Sequence, residues 1–335
     1  MRRILRYVFL VMLIAIGAFY FWAGSGTLNK TDYYEVINYH ERYKSANDTF
    51  MIMTFNIGYL SGMTNNLPVA RSAQLINENL QNSYTLLSAY EPDILGLQEI
   101  DFNADRSYNF NQLDSLAYHA DYPNAAMAVN WDKSYVPFPY WPLKYQFGQI
   151  LSGQAILSKM QILEDSVLIL EKPESAPFYY KQFYLDRLVQ IAKIAIGDRN
   201  LIVMNVHLEA FDKTTRESQA LQALEVLKYY EKSYPVLLIG DFNSKPPFAS
   251  NIQEAEITID TFLKHPTLEE AINKETYLQN ESNFFTFDTE APYERLDYIF
   301  YTKQSISKIN SGIAVDAGQI SDHLPVWMRF TLNNN

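Results

Sequence analysis

The sequence predicts an α/β fold, and three observations support this prediction. Apolar runs of strand length alternate with longer segments in which apolar residues recur at helical spacing. Hydrophobic residues make up 48% of the 335 residues and aromatic residues 15%, so the chain can bury a large core and disorder is disfavoured. Most of the apolar runs also end in a polar side chain, at the position where α/β proteins place their active sites.

The first element is a predicted helix that can cross a membrane. An uncharged and mostly aliphatic run covers residues 7–27, which is long enough to span a bilayer. Tyr20 and Trp22 fall near its outer end, where interfacial aromatic residues are favoured. We therefore predict that residues 1–28 form an N-terminal transmembrane anchor or signal segment. An uncleaved anchor is favoured, although Ala23-Gly24-Ser25 leaves cleavage as a signal peptide open.

The charges that flank this run predict its orientation. Arg2, Arg3 and Arg6 precede it, and positive flanks stay in the cytoplasm. We therefore expect a single-pass membrane protein whose body lies outside the cytoplasm, in the periplasm or at the cell surface.

After a predicted linker at 29–48, residues 49–335 are interpreted as one domain, since no repeat or second composition regime is visible. A helix is predicted over 70–90, with Pro92 after its end, and a second helix from a capping-box pattern at Thr214 and Glu217 to about residue 232. Strands are predicted at 50–57, 94–98, 155–157, 189–196, 201–207, 236–240, 298–301 and 325–331.

Composition excludes several kinds of site. The chain has no cysteine, so disulfides, thiolate metal sites and a cysteine nucleophile are ruled out. Four of the 27 basic residues lie in the first 30 residues, which hold no acid. The remaining 23 basic and 38 acidic residues give the rest of the chain a net charge of −15. Such a body repels nucleic acid at long range, which makes nucleic acid a less favoured partner.

Polar residues close many of the predicted strands. A single carboxylate or histidine at such a position is more often a turn residue, a helix cap or a satisfied core group. Turns explain a whole series of such residues less well. The series consists of Asn56, Glu99, Asn205, His207, Asp241, Asn243, Asp297, Asp322 and His323.

In this order the fragments resemble the endonuclease/exonuclease/phosphatase superfamily, in a membrane-anchored, bacterial-type form. The matching pieces span about residues 50–330 and are Thr-Phe-Asn at 54–56, Leu-Gln-Glu at 97–99, Ser-Gly-Gln-Ala-Ile-Leu-Ser at 152–158, Asn-Val-His-Leu at 205–208, Gly-Asp-Phe-Asn at 240–243, Leu-Asp-Tyr at 296–298 and Ser-Asp-His-Leu-Pro at 321–325. The resemblance implies a four-layer α/β sandwich, in which two central mixed β-sheets are flanked by helices. It also implies hydrolysis of phosphoesters with Mg²⁺ or Mn²⁺.

The resemblance further implies a role for each residue. Glu99 is the principal metal ligand, assisted by Asn56 and Asp322, because hard divalent cations prefer oxygen ligands. The implied catalytic residues are His207, Asp241, Asn243, Asp297 and His323. Among them Asp241 orients or deprotonates the attacking water, and Asn243 holds that water or a phosphate oxygen. Asp297 orients His323 toward the phosphoryl oxygens, and His207 is the general acid at the leaving group. Asn205 is implied to support His207 or to bind substrate.

The substrate is not determined by the resemblance. Residues 131–147 and 178–184 are rich in aromatic residues, and they either contact a lipid interface or cover the sandwich as ordinary core. Arg187 precedes a strand directly and is the favoured phosphate-binding residue, ahead of Lys133, Lys144 and Lys181.

Three functions are weighed. The favoured one is a phosphodiesterase for a lipid-derived or other extracytoplasmic substrate, with a sphingomyelinase-like phospholipase C reaction as the concrete form and a lipid head group as a possible partner. The alternatives are a metal-dependent endo- or exonuclease and a non-catalytic, membrane-tethered binding protein. The oligomeric state is left open.

Overall fold

Two β-sheets form the centre of the computed structural model, which describes residues 1–44, 49–65 and 67–333. One sheet has seven strands in the order β1-β4-β5-β3-β2-β13-β12, and the other has six in the order β10-β11-β9-β8-β7-β6. The strands are β1 Tyr34–Asn38, β2 Phe50–Asn56, β3 Ile94–Ala104, β4 Asn124–Val136, β5 Gly148–Ser158, β6 Ile162–Ile169, β7 Leu188–Ile196, β8 Arg199–His207, β9 Val236–Asp241, β10 Leu268–Glu270, β11 Asp297–Thr302, β12 Ile306–Ile313 and β13 Val326–Leu332.

Helices cover the outer faces of both sheets. The helices are α1 Arg2–Ala23, α2 Ala73–Tyr90, α3 Gln112–His119, α4 Phe178–Phe183, α5 Lys213–Tyr230, α6 Thr258–Leu263 and α7 Lys274–Gln279. Residues of α2 and α3 pack on the seven-stranded sheet, and residues of α5 and α6 pack on the six-stranded sheet. A third apolar cluster fills the space between the sheets. This arrangement confirms the predicted four-layer sandwich with mixed sheets.

Strand direction brings the polar strand ends together. β2 and β3 pair in parallel, as do β8 and β9, and Asp297 at the start of antiparallel β11 lies opposite Asp241 at the end of β9. Asn56, His207 and Asp241 therefore end their strands on one side of the sandwich. We call this side the polar edge.

The N-terminal segment differs from its prediction in one respect. The predicted linker at 29–48 contains β1, which extends the seven-stranded sheet by pairing antiparallel with β4. Residues 45–48 of that linker lie outside the described residues. The domain's sheet thus begins before Thr49, because the apolar side chains of Val36 and Ile37 pack on the two clusters that flank it.

Helix α1 is exposed along nearly its whole length, and an 18-residue stretch of it has a mean hydropathy of 2.2. At 1.5 Å per residue its 22 residues reach about 33 Å, comparable to a bilayer core. It is the one helix among the described residues that is long and apolar enough to cross a membrane, a property shared by signal sequences.

The capping box predicted for α5 is wrong. The Asp212 side chain caps this helix by accepting a hydrogen bond from the Thr215 amide at 2.8 Å. Glu217 instead accepts a hydrogen bond from the Ile257 amide, outside the helix. Asp is as good an N-cap residue as Thr. With Asp212 as the cap, the helix starts about two residues earlier than a cap at Thr214 predicts, which is an ordinary boundary error.

Candidate active site

Two carboxylates face each other across one amide group at the polar edge. The Asn65 Nδ2 donates to Glu99 Oε2 at 2.8 Å and lies 3.2 and 3.3 Å from the two oxygens of Asp322. Burial raises the pKa of Glu99, and the Asp322 charge raises it further. Two nearby anions joined by a neutral amide form a pair of oxygen ligands that suits a hard cation.

The backbone at Glu99 is bent to present its side chain. Glu99 has a φ of +52°, in the left-handed region that residues other than glycine rarely occupy. The pairing of β3 with β5 shifts register between Leu97 and Ile100, so a bulge lies at this residue. The bulge turns the carboxylate out of the sheet and toward the edge.

Asp241 lies at the centre of a second group of side chains. Its Oδ2 accepts a hydrogen bond from Asn56 Nδ2 at 2.9 Å and lies 3.5 Å from His207 Nε2 and 3.8 Å from His323 Nε2. Its Oδ1 accepts the Asn243 amide at 2.8 Å. Burial raises the pKa of Asp241 to about 7, against the opposing effect of the nearby His323 charge.

His323 and Asp297 form a buried pair. Asp297 Oδ2 lies 2.9 Å from His323 Nδ1, and both side chains are nearly inaccessible. Burial lowers the pKa of His323, but the Asp297 and Asp241 carboxylates outweigh it and hold that pKa well above its usual value. His323 therefore contributes a positive charge beside Asp241.

His207 and Arg187 complete the site. His207 Nε2 lies 3.7 Å from Glu99 Oε1, and its buried Nδ1 has no protein partner. Arg187 is 3% exposed and donates to the Tyr184 hydroxyl at 3.0 Å, while its Nε and one terminal nitrogen have no hydrogen-bond partner. Burial lowers the pKa of His207, and the Arg187 charge lowers it further, which favours a neutral imidazole.

Three predicted residues are turned toward protein groups. Asn205 is fully buried, where its amide donates to the Leu97 carbonyl and accepts from Gln98. It therefore joins the two sheets behind the site. Asn243 donates from Nδ2 to the Leu208 carbonyl at 3.0 Å, and Asn56 Oδ1 accepts the Gly58 amide at 3.1 Å.

One group of possible metal ligands differs from the predicted set. Asp241, Asp297 and His323 have ligand atoms within 4.8 Å of one another. Two of these three are already paired through His323 Nδ1, and a protonated His323 cannot bind a metal. Glu99 and Asp322 remain the predicted metal ligands, because their facing carboxylates share one neutral amide donor instead of pairing with the charged His323.

Several residues of the site were missed in the sequence. Asn65 lies in a Ser-Gly-Met-Thr-Asn run that is typical of a turn, and no sequence signal separates it from one. Tyr184 and Glu209 hold Arg187, while the Ser321 hydroxyl donates to the Asn56 carbonyl and accepts the His323 amide. Of these, only Ser321 falls inside a recognised motif.

Comparison with known proteins agrees with this arrangement. A sequence model of the Endonuclease/Exonuclease/phosphatase family matches residues 53–323. No curated protein matches the chain significantly.

Solved structures share the fold at low identity. An endonuclease/exonuclease/phosphatase from Beutenbergia cavernae superposes with a TM-score of 0.63 at 18% identity, over 86% of this chain and 72% of its own. The human Nocturnin catalytic domain with bound sulfate gives a TM-score of 0.59 at 18% identity, over 90% and 98%. D. rerio TDP2 complexed with a single-strand DNA product gives 0.57 at 19%, over 85% and 100%. Since the family match covers most of the chain, the protein belongs to the endonuclease/exonuclease/phosphatase family, whose members are generally phosphoester hydrolases.

Proposed function

We propose that this protein is a divalent-metal-dependent phosphodiesterase that acts on a lipid-derived or other extracytoplasmic substrate. The observation that carries the proposal is the convergence at one edge of the facing carboxylates of Glu99 and Asp322, a buried Asp241 and a buried arginine that has N–H groups without hydrogen-bond partners. Phosphodiester hydrolysis requires these functions together: a cation site, a base for water and donors for the phosphoryl oxygens.

The residues present fit a magnesium or manganese ion. Glu99 and Asp322 would hold it, with the Asn65 amide between them. Asn56 lies close by and accepts a hydrogen bond from the Gly58 amide in the loop that leads to Asn65. When bound, such an ion neutralises phosphate charge and polarises the phosphoryl group. The mutual repulsion that raises the pKa of Glu99 is the kind of repulsion that a bound cation relieves.

Asp241 is proposed to orient and deprotonate the attacking water. A carboxylate whose pKa lies near 7 is a better base than an ordinary aspartate, yet it is still ionised in part at neutral pH. Asn56 and the Asn243 amide hold its two oxygens in place. Asn205 and Asn243 are assigned to positioning of this strand end, because Asn205 contacts Leu97 and Asn243 Nδ2 donates to the Leu208 carbonyl. Asn243 is also proposed to hold the water or a phosphate oxygen.

Arg187 and His323 are proposed to bind the phosphoryl oxygens. Arg187 has buried N–H groups without hydrogen-bond partners beside its ion pair with Glu209, and Asp297 keeps His323 charged and oriented. His207 is neutral without substrate because its pKa is depressed, so a bound phosphate anion must raise that pKa before His207 can protonate the leaving group. Without that rise it acts as a hydrogen-bond donor.

The lipid-derived substrate is supported by the surroundings of the site. The chain carries a helix suited to a membrane, its remaining part has a net charge of −15, and aromatic side chains around Trp141 and Phe178 are exposed. A sphingomyelinase-like phospholipase C reaction is the concrete form, in which water attacks the phosphodiester and releases the phosphorylated head group.

A nuclease is the second candidate, favoured by the structural similarity to a TDP2 bound to a DNA product. The acidic body opposes it. A non-catalytic binding protein is disfavoured because Glu99 faces Asp322 and Asp241 lies beside both His207 and His323 at one edge.

The test uses the full chain in mixed-lipid vesicles and measures Mg²⁺-dependent release of phosphorylated head groups, beside nicking of a plasmid. Wild type should hydrolyse lipid, chelator should abolish the activity, and Asp241→Asn should reduce it by at least about 100-fold. The exposed Asp198→Asn is the matched control. Plasmid nicking without lipid hydrolysis would establish the nuclease, and Asp241→Asn at the wild-type rate would refute the assigned base.

A further inference from the structure

The end of α1 is attached to the polar edge. Phe19 and Trp22 lie with ring centroids 5.9 and 6.2 Å from that of Tyr135, and Tyr20 lies 5.7 Å from Phe183 and 6.0 Å from Phe178. These contacts join the last turns of the helix to the end of β4 and to α4.

The residues after α1 fix this attachment. The Asp132 carboxylate accepts hydrogen bonds from the Thr27 and Leu28 amides at 2.7–2.9 Å and from the Tyr33 hydroxyl at 3.0 Å. The Ser134 amide donates to the Ser25 carbonyl at 2.7 Å. The helix is therefore held by the domain directly, and not by a free linker.

Strand register shows which side of the domain is attached. Val136 at the end of β4 pairs with Gly148, and Ala104, five residues beyond Glu99, pairs with Ile150. The segment 137–147 therefore lies beyond Glu99 at the polar edge. In the other sheet, Ile169 pairs with Leu188, and the next residue, Val189, pairs with Val206 at the end of β8. The segment 170–187 therefore also lies at the polar edge.

These two segments carry exposed apolar side chains around the point where α1 leaves the domain. Trp141 and Phe178 are each 74% exposed. We call the group the aromatic collar, and it consists of Phe138, Tyr140, Trp141, Leu143, Phe178 and Tyr179. The strand that leads into the first segment contacts the second segment, because Trp131 Nε1 in β4 donates to the Phe183 carbonyl at 2.8 Å.

We propose that the aromatic collar inserts into the interface of the bilayer that α1 spans, so that the active site opens onto the head-group layer. The occupant is a lipid surface because the collar is continuous with the membrane helix: Tyr20 contacts Phe178 of the collar, and Trp22 contacts Tyr135, two residues before the segment that carries Trp141. Large exposed apolar groups beside a membrane helix, with aromatic rings and adjacent lysines, have the composition of an interfacial surface.

This placement favours a phosphodiester in the lipid head-group layer as the substrate. Arg187 donates to the hydroxyl of Tyr184, which lies in the segment 170–187 that carries Phe178 and Tyr179 of the collar. The Tyr184 hydroxyl also donates to Glu209 at 3.0 Å. Phosphate groups in the head-group layer of the same membrane therefore meet the site first. The inference rests on the proposed function for the reaction, but the collar's position can be measured without it.

The absence of cysteine from the chain makes the measurement direct. Full-length single-cysteine variants Trp141→Cys and Phe178→Cys are spin-labelled in lipid nanodiscs, and relaxation by oxygen is compared with relaxation by a water-soluble nickel chelate. Tyr229→Cys is the matched control, because Tyr229 is 70% exposed at the end of α5 farthest from the polar edge. Labels at 141 and 178 should favour oxygen over the chelate, and the label at 229 should not. Chelate access at 141 and 178 equal to that at 229 would refute the proposal.

A second measurement separates the collar from the chemistry. The double variant Trp141→Ser, Phe178→Ser should be about tenfold less active than wild type on lipid vesicles. It should hydrolyse a soluble bis-nitrophenyl phosphodiester at the wild-type rate. Full vesicle activity in this variant would contradict the proposal. If wild type hydrolyses neither substrate, the proposed function fails, and the spin-label result alone decides the collar.

Discussion

Glu99 shows how the site is assembled at the expense of local stability. Its backbone occupies a left-handed conformation that costs of order 1–3 kcal/mol for a residue other than glycine. Its buried carboxylate faces that of Asp322 across the Asn65 amide. Strain and like charge at one residue are typical of a functional position, because packing for stability alone would remove both.

Replacement of Glu99 by Gln should therefore separate stability from activity. With chelator present, we expect the free energy of unfolding to rise by roughly 1 kcal/mol, because a neutral amide removes the repulsion. Activity on vesicles should fall at least about 100-fold, because the proposed cation site is lost. Denaturant unfolding and head-group release are the measurements, with the exposed Glu164→Gln as control. An active Glu99→Gln protein would contradict the metal assignment.

Asp241 gives the stability a defined pH dependence. Its pKa is raised to about 7 in the folded protein, above the value of an ordinary aspartate, so folding takes up a proton between the two values. The stabilisation is complete below about pH 4 and is lost as pH rises through about 7.

In metal-free protein, Asp241→Asn should consequently become more stabilising relative to wild type as pH increases from 4 to 8. Chemical unfolding across this range in chelator measures the slope. Asp198→Asn, at an exposed carboxylate, should give a flat difference. A flat difference for Asp241→Asn as well would show that Asp241 keeps an ordinary pKa.

At the scale of elements, Asp132 connects the N-terminal segment to the sheet. Its carboxylate accepts the Thr27 and Leu28 amides and the Tyr33 hydroxyl, directly before β1 begins at Tyr34. Burial and this carboxylate raise the pKa of Tyr33, so the tyrosine remains a donor at physiological pH. One aspartate of β4 thereby sets both the exit of α1 and the start of β1.

Asp132→Ala should loosen this connection without unfolding the sandwich. We expect faster amide hydrogen exchange over residues 24–38 and a loss of about 1–3 kcal/mol, because several donors lose a shared charged acceptor. Asp121→Ala removes an exposed carboxylate that pairs with His40 and Arg42, and should cost less than about 1 kcal/mol. Unchanged exchange over 24–38 in Asp132→Ala would refute the anchoring role.

For the whole molecule, metal binding and folding should be linked. A ligand that binds only the folded chain stabilises it by about 2.7 kcal/mol at a concentration 100 times its Kd. Mg²⁺ should therefore raise the Tm of wild type by several degrees, and Asp322→Asn should abolish the rise. Differential scanning calorimetry with and without chelator is the measurement. A rise of equal size in Asp322→Asn would place the ion elsewhere.

For the whole molecule, the sequence also predicted the fold and the family. Strand-ending motifs from residue 54 to residue 325 specify both, since each motif combines an apolar strand with the polar residue that ends it. Among the described residues, the predicted strand list lacks β1, β4, β6, β10 and β12. β1 is a short edge strand that carries little apolar periodicity, and Asn65 was missed because an amide in a turn carries no signal of its contacts.

The sequence by itself determined the layered α/β class, the family, the anchor-like helix and most of the polar residues that end strands, because periodicity and local motifs encode these properties. Only the tertiary structure decided which carboxylates face each other, that Asn205 lies between the sheets, and that the end of α1 meets the edge holding Asp241. These are contacts between residues far apart in the chain. Their formation depends on strand order, register and packing, which no local pattern contains.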